Sequence, residues 1–188
     1  YSSTSSAYGL TNTPPLTEDM KRDCLNPYSV SKVAAEDLCK MYHTLYGLET
    51  IVFRYFNVYG KREPIKGQYA PVIGLFLRQK KNGEHMTVVG DGLQSRDFTH
   101  VNDVVEANIL ASVCKNKESL GKVLNIGSGY RYTILELVKL IGGKYKFITD
   151  RDGEARTSLA DITLAEKLLN WTPKHTLSDY INERQNNE

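Results

Sequence analysis

The stretch 26–57, "NPYSVSKVAAEDLCKMYHTLYGLETIVFRYFN", predicts a helix followed by a buried strand. Asn26 suits a helix N-cap and Pro27 suits a first helical turn, and apolar residues then recur at spacings of three and four. Gly47 supplies a stop signal. The β-branched and aromatic run from Thr50 to Tyr55 predicts a strand, and a long loop follows it. A helix that leads into a buried strand is the repeating unit of α/β folds.

Strands and helices alternate along the rest of the chain. The Thr133–Glu136 sequence has the T-x-x-E pattern of a capping box, and Asp103 is expected to cap a helix that runs to about Cys114. Further helices are expected near 70–81 and 177–183, and β-rich runs include "MTVVG", "KVLNIGSG" and "YKFIT". The alternation favours an α/β architecture with a largely parallel sheet and, after Asn57, a second and smaller lobe.

Composition excludes several classes of protein. The 188 residues are 40% hydrophobic, which suffices for one core plus a small appendage. A net charge of +2 with scattered basic residues predicts no nucleic-acid partner. No apolar run approaches the roughly 20 residues that cross a bilayer, and no secretory signal is seen, so no membrane association and a cytoplasmic location are expected. Cys24, Cys39 and Cys114 are widely spaced, which predicts reduced thiols and no metal site.

The sequence "PYSVSK" places Tyr28 and Lys32 four residues apart, on one face of the predicted helix. A phenol is a poor base at neutral pH, but a neighbouring ammonium favours the phenolate. Such a pair can take a proton from a substrate hydroxyl. By itself the pattern is far more often that of an ordinary exposed Tyr and Lys on a helix.

Polar side chains also follow the predicted strands. The hydroxyl run Thr4–Ser6 ends the opening strand, Asn57 follows the second strand, and Arg96, Arg151 and Arg156 lie in later loops. Hydroxyl runs are often solvated turns and isolated arginines are often surface charges. Several arginines on loops after strands are nevertheless what a diphosphate would need.

Six motifs taken together resemble one family. In chain order they are "STSSAYG", "PYSVSK", "RYFNVYG", "GDGLQSRDFTHVNDVVEA", "NIGSG" and "RDGEARTSLADITLAEKLLNWTP". They resemble the extended short-chain dehydrogenase family of nucleotide-sugar epimerases and dehydratases, most of all the UDP-sugar 4-epimerases of N-acetylated hexosamines. The resemblance implies the C-terminal part of a Rossmann-like parallel sheet, residues 1–56 and 92–126, with a smaller interleaved α/β nucleotide-sugar-binding lobe, residues 57–91 and 127–188.

The resemblance also implies roles for individual residues. Thr4, Tyr28 and Lys32 match the catalytic residues, with Lys32 favouring the phenolate of Tyr28. Tyr28, Lys32 and Tyr55 match the NAD contacts. The positions that match the UDP-sugar contacts are Thr4, Asn57, Val88, Arg96, Arg151 and Ser158, with Val88 on the strand beside the uracil, and no metal is implied.

Two departures from the family's patterns narrow the reaction. The 4,6-dehydratases carry Asp-Glu after the catalytic Thr and the related decarboxylases carry a Glu two positions after it, whereas this chain has Ser5 and Ser6. Epimerisation needs neither carboxylate. Some 4-epimerases place a Tyr where this chain has Ser158, and the smaller side chain leaves room for an N-acetyl group. The expected reaction therefore interconverts UDP-GlcNAc and UDP-GalNAc, with UDP-glucose and UDP-galactose as further substrates.

The G-x-x-G-x-x-G turn that holds the cofactor pyrophosphate in such enzymes is absent from the sequence. The chain is therefore expected to be the C-terminal part of a homodimeric epimerase and to bind NAD weakly or not at all by itself. Three alternatives stay open: a uronate 4-epimerase, a dehydratase or decarboxylase of the family, and a non-catalytic nucleotide-sugar-binding fragment.

Overall fold

The computed structural model describes residues 1–64, 71–150 and 155–186 of the chain. Strands and helices alternate through these ranges, which confirms the α/β class. The strands are β1 Ser2–Thr4, β2 Ile51–Tyr55, β3 Val58–Tyr59, β4 Met86–Val89, β5 Ser95–Asp97, β6 Thr99–His100, β7 Lys122–Ile126, β8 Arg131–Thr133 and β9 Tyr145–Ile148. The helices are α1 Pro27–Tyr46, α2 Val72–Lys81, α3 Val101–Ser112, α4 Ile134–Ile141, α5 Thr163–Leu169 and α6 Leu177–Asn186.

The central sheet is parallel, with strand order β1-β2-β7. Thr4, Tyr55 and Ile126 are neighbours in its register, so the carboxyl ends of the three strands lie at one edge. Helix α1 connects β1 to β2 and completes a βαβ unit. Open parallel sheets bind ligands at this edge. The remaining strands form three pairs, of which β3–β6 and β4–β9 are parallel and β5–β8 is antiparallel.

Helix α1 begins and ends where the sequence predicts. The Asn26 side chain accepts a hydrogen bond from the backbone N–H of Ser29 at 2.9 Å, and Gly47 ends the helix with φ 68°, in the left-handed region that favours glycine. The apolar stripe, however, faces away from the sheet: Val30 and Leu38 are each 55% exposed. The side of α1 that meets the sheet is polar and buries Ser29 and Glu36.

A buried row of polar residues on the sheet explains why the polar side of α1, and not its apolar stripe, meets the sheet. Ser3, Arg54 and Asn125 are neighbours across β1, β2 and β7 and are all buried on the α1 side of the sheet. Glu36 accepts two hydrogen bonds from the Arg54 guanidinium, at 3.0 and 2.7 Å, and one from the Ser3 hydroxyl. Burial opposes the charge of Arg54, but its bonds to Glu36 leave its pKa raised overall. An ion pair therefore attaches α1 to the sheet.

The opposite face of the sheet is apolar. Phe53 and Leu124 pack there against Ala107 of α3, against α5 and against Trp171. A second core lies in the smaller lobe, where α2, α4 and α6 surround β3 and β4. The two cores are consistent with two lobes, but the boundaries at 57, 92 and 127 stay a prediction. Within the described residues no helix is both long and apolar enough to cross a membrane.

The expected cap of α3 is wrong. His100 begins the helix, because its Nδ1 accepts from the backbone N–H of Asn102 at 3.2 Å. Asp103 lies in the first turn of the helix, fully buried, and accepts hydrogen bonds from the backbone of Lys174 and from the ring and backbone of His175. The carboxylate thus holds a segment more than 70 residues away in sequence instead of capping its own helix. The three cysteines are free and partly buried.

Candidate active site

A cavity of about 220 Å³ opens beside the carboxyl edge of the central sheet. Three of the residues implied as substrate contacts, Asn57, Arg96 and Ser158, meet in its wall, although they lie far apart in sequence. Ser5 and Ser6 form another part of the wall, and no Asp or Glu is found among the described residues that line it. The cavity is therefore polar and free of carboxylates over the part of the chain that the structure describes.

Asn57 and Ser158 contact each other across this wall. Asn57 follows β2 with φ 26°, a conformation that few residues other than glycine adopt. Its Nδ2 donates to the backbone carbonyl of Asp97 at 2.7 Å and lies 3.4 Å from the Ser158 hydroxyl. Ser158 is only 9% exposed and lines the cavity with a small side chain.

The arginines and Val88, which were also considered as contacts of the UDP moiety, do not all lie at the cavity. Arg96 lies on β5 and donates to the carbonyl of Ser95 at 3.0 Å while it lines the cavity. Val88 is fully buried in the core of the smaller lobe, so its side chain does not face the cavity. Arg151 lies outside the described residues. Arg156 forms a bidentate ion pair with Asp91, at 2.9 and 2.6 Å.

A uracil base is expected beside β4, so the edge of this strand that does not pair with β9 is of interest. Strand β4 pairs with β9 along one edge only within the described chain. On the other edge the amide side chain of Gln79 accepts from the backbone N–H of Thr87 at 3.1 Å, and that of Gln94 donates to the carbonyl of Val89 at 2.9 Å. These two backbone groups are thus already hydrogen-bonded and the Val88 side chain belongs to the core, so a contact of this strand with the uracil stays a prediction.

The implied catalytic residues lie where α1 starts beside β1. Thr4 is buried, and its hydroxyl oxygen accepts from the backbone N–H of Ser6 at 3.2 Å, which leaves its own proton available to a ligand. Tyr28 is 54% exposed in the first turn of α1. The Lys32 ammonium lies 5.9 Å from the centre of the Tyr28 ring and donates to the carbonyl of Ser2 at 2.9 Å. The phenol is thus accessible and has a cation beside it.

Tyr55, the third residue implied in cofactor binding, lies at the carboxyl end of β2. Its hydroxyl exchanges hydrogen bonds with the side-chain amide of Asn108, at 2.9 and 3.1 Å. Tyr28 and Lys32, which lie together, offer a hydroxyl and an ammonium, a donor set that suits a ribose. The sequence contains no glycine-rich phosphate turn, so these residues fit one end of a dinucleotide only.

Asp97 is an organising residue that the sequence analysis missed. Its side chain is fully buried and accepts hydrogen bonds from the backbone N–H groups of Ser128, Gly129 and Ala160, at 2.7, 3.2 and 3.1 Å, and from the Ser128 hydroxyl. Burial raises the pKa of Asp97, while the donors from Ser128 and Ala160 act in the opposite direction. The one available signal was a carboxylate inside the β-rich run "SRDFTHV".

Gly127 leaves room for this arrangement. A Cβ atom at position 127 would lie 2.8 Å from Oδ2 of Asp97 and would overlap the methyl group of Ala160. The glycine is needed because two other segments fill the space where its side chain would be.

Comparison with known proteins agrees with the geometry. The family model described as the NAD dependent epimerase/dehydratase family matches residues 1–127. The chain belongs to this family. Its members are NAD-dependent, and the α/β fold with a parallel sheet is theirs as well.

Three solved structures show how near the relatives are. A UDP-N-acetylglucosamine 4-epimerase from Methanobrevibacter ruminantium, in complex with UDP-N-acetylmuramic acid, is 33% identical with a TM-score of 0.91 over 97% of this chain and 60% of that one. A UDP-glucose 4-epimerase from Thermotoga maritima with UDP-glucose is 33% identical, with a TM-score of 0.90 over 100% and 63%. A UDP-glucuronic acid 4-epimerase from Bacillus cereus, with UDP-glucuronic acid and NAD, is 33% identical, with a TM-score of 0.85 over 96% and 58%.

The relatives are longer proteins. The chain spans 56% to 59% of the length of three curated relatives that are 34% to 37% identical to it. The three solved epimerases act on differently substituted sugars at similar identity, so similarity alone does not select a substrate.

Proposed function

We propose that this chain is the catalytic and nucleotide-sugar-binding part of an NAD-dependent 4-epimerase that interconverts UDP-GlcNAc and UDP-GalNAc. The observation that carries the proposal is the cavity in which Asn57, Arg96 and Ser158 meet, and whose wall includes Asn26, the N-cap of the helix that carries Tyr28 and Lys32. An arginine, an amide and hydroxyls suit a diphosphate and a sugar.

The proposed chemistry uses few residues. Tyr28 acts as the base that takes the proton of the sugar O4 and later returns it, with the Lys32 ammonium 5.9 Å from the centre of its ring. Thr4 donates its free hydroxyl proton to the same oxygen and so orients it. When bound, NAD would supply the hydride chemistry at C4 of the sugar, with the 4-keto sugar as the transient species. Lys32 would hold the nicotinamide ribose and Tyr55 would contact the nicotinamide, while this sequence has no glycine-rich turn for the pyrophosphate.

The wall of the cavity favours epimerisation over elimination or decarboxylation. Water elimination across C5 and C6 needs an acid and a base at the positions after the catalytic Thr. Those positions are Ser5 and Ser6, which line the cavity, and the described lining contains no carboxylate. Hydroxyls can bind a sugar but cannot serve as the base at neutral pH.

The preference for an acetylated sugar is inferred from Ser158. Ser158 lines the cavity, and its hydroxyl oxygen lies 3.4 Å from Asn57 Nδ2. A tyrosine at this position would place a phenol ring in a cavity of about 220 Å³ and would exclude a C2 substituent. A uronate would instead bring a carboxylate to a site whose one described lining arginine, Arg96, is assigned to the diphosphate.

A calorimetric titration of the chain tests this proposal. UDP-GlcNAc should bind, UDP-glucose and UDP-glucuronic acid should bind more weakly, and NAD should bind weakly or not at all. Arg96→Met should weaken every UDP-sugar by about tenfold or more, since bonds to charged groups are the stronger ones. Arg22→Met, which removes an exposed partner of Asp37, is the matched control and should leave binding unchanged. Failure of all three sugars to bind would refute the proposal.

The apolar stripe of α1 supports a homodimer. Val30, Leu38 and Leu45 are 55%, 55% and 66% exposed, and Tyr46 is 71% exposed. Exposed apolar stripes of this kind are typical of helix interfaces. Sedimentation at increasing concentration should show association, and Leu38→Glu should abolish it, whereas Val113→Glu, at a similarly exposed apolar position just after α3, should not. The cytoplasmic location stays a prediction.

A further inference from the structure

The carboxylate of Asp97 attaches two segments of the chain to strand β5. Oδ1 accepts from the backbone and the hydroxyl of Ser128, and Oδ2 accepts from the backbone N–H groups of Gly129 and Ala160. These donors belong to the loop after β7 and to the segment before α5. Each oxygen thus serves two donors, and no other side-chain acceptor is recorded for these three N–H groups within the described chain.

The same residue holds the cavity wall through its backbone. Its carbonyl accepts from Nδ2 of Asn57 at 2.7 Å, and its N–H lies 3.4 Å from the hydroxyl oxygen of Ser158. Ser158 lies two residues before Ala160, which the Asp97 carboxylate binds directly. Because side chains alternate along a strand, Arg96 faces the cavity while Asp97 points into the packed interior behind it.

We propose that Asp97 is a positioning residue of the nucleotide-sugar site, which holds Asn57 and Ser158 at the separation that the sugar and its diphosphate require. The inference rests on the proposed function. It predicts that Asp97 never touches the substrate and yet controls the part of the affinity that comes from the sugar end of the molecule. The nucleoside end binds elsewhere and should not depend on it.

Asp97→Asn is the sharpest substitution, because it keeps the shape and removes the charge. An amide offers one acceptor oxygen instead of two, so either the Ser128 pair or the Gly129 and Ala160 pair loses its acceptor, whichever way the amide turns. A buried donor without an acceptor draws away from its neighbours or recruits water. The segment that carries Ser158 should shift as a result.

The experiment compares two probes, UDP-GlcNAc and UMP, by calorimetry on the intact chain. UMP carries the base and one phosphate but lacks the sugar. Asp97→Asn should weaken UDP-GlcNAc by about tenfold or more and UMP by no more than about twofold. A residue with a merely structural role would loosen the whole site and weaken both probes by the same factor.

Asp103→Asn is the matched control. Asp103 is also fully buried and also accepts from two backbone N–H groups and one side chain, but it lies away from the cavity. It should lower stability comparably and leave the affinity for both probes unchanged. Equal weakening of both probes by Asp97→Asn, or weakening of neither, would overturn the inference.

A milder variant covers the case in which Asp97→Asn does not fold. Ser128→Ala removes one of the four bonds to the carboxylate and should weaken UDP-GlcNAc by about two- to threefold with UMP unchanged. No change in the ratio of the two affinities would again overturn the inference. If the unsubstituted chain binds neither probe, the proposed function itself fails, and the inference fails with it.

Discussion

Replacing Arg54 with Met should strongly destabilise the protein. The side chains of Arg54 and Glu36 are each 3% exposed, so the substitution leaves a buried carboxylate with the Ser3 hydroxyl as its remaining recorded partner in the described chain. Breaking a buried ion pair in this way costs about 3–5 kcal/mol. The free energy of unfolding of a domain is only about 5–15 kcal/mol, so the loss is a large fraction of it. Urea unfolding followed by circular dichroism measures the change directly.

A second ion pair on the same helix provides the control. Arg22 and Asp37 pair at 2.7 Å with side chains 41% and 58% exposed, and Arg22→Met should cost no more than about 1 kcal/mol. Removing both buried charges with Arg54→Met and Glu36→Met together should recover most of the loss, because no isolated charge then remains in the interior. A cost for Arg54→Met as small as that for Arg22→Met, or simple additivity of the two buried substitutions, would show that the pair does not hold α1 to the sheet.

Three further predictions concern the site and the response to pH. Tyr28→Phe should leave the affinity for UDP-GlcNAc within about twofold and, in a preparation with epimerase activity, reduce turnover by about 100-fold or more, since only the proton transfer is lost; tighter or weaker binding with normal turnover would contradict this role. Ser158→Tyr should weaken UDP-GlcNAc about tenfold relative to UDP-glucose, which competition titration would reveal. Burial raises the pKa of Glu63 from its ordinary value of 4.5 to about 7. The free energy of unfolding should therefore decrease as the pH rises between these two values. Glu63→Gln should remove that slope in urea midpoints compared at acidic and mildly alkaline pH, and an unchanged slope would mean that Glu63 is not its source.

Local signals predicted the elements well. The Asn26 cap, the Gly47 stop and the capping box at Thr133 all lie where the sequence places them, because each is decided within a few residues of chain. The strand from Ile51 to Tyr55 was equally clear from its β-branched and aromatic residues. The resemblance was needed to relate Asn57, Arg96 and Ser158, which only the fold brings together.

Contacts between residues that are distant in sequence could not be predicted in the same way. The spacing of apolar residues on α1 predicted a helix but not that its polar side meets the sheet, since the buried Arg54 that decides this lies 18 residues beyond Glu36. The carboxylates of Asp97 and Asp103 likewise bind segments that return from 31 to 72 residues later. A single carboxylate in a β-rich or helical run does not reveal which backbone will reach it. Val88 illustrates the converse, because its strand was expected near the base while its side chain lies in the core.

The absence of a side chain at Gly127 bears on how signature sequences are interpreted. In this molecule the first glycine of "NIGSG" is required by the methyl group of Ala160 and an oxygen of Asp97, and it does not line the cavity. A designer who wished to transplant the site would therefore have to move three segments together and not the loop alone. The residues of such a motif can therefore indicate where segments of the chain pack closely together, as well as what the protein binds.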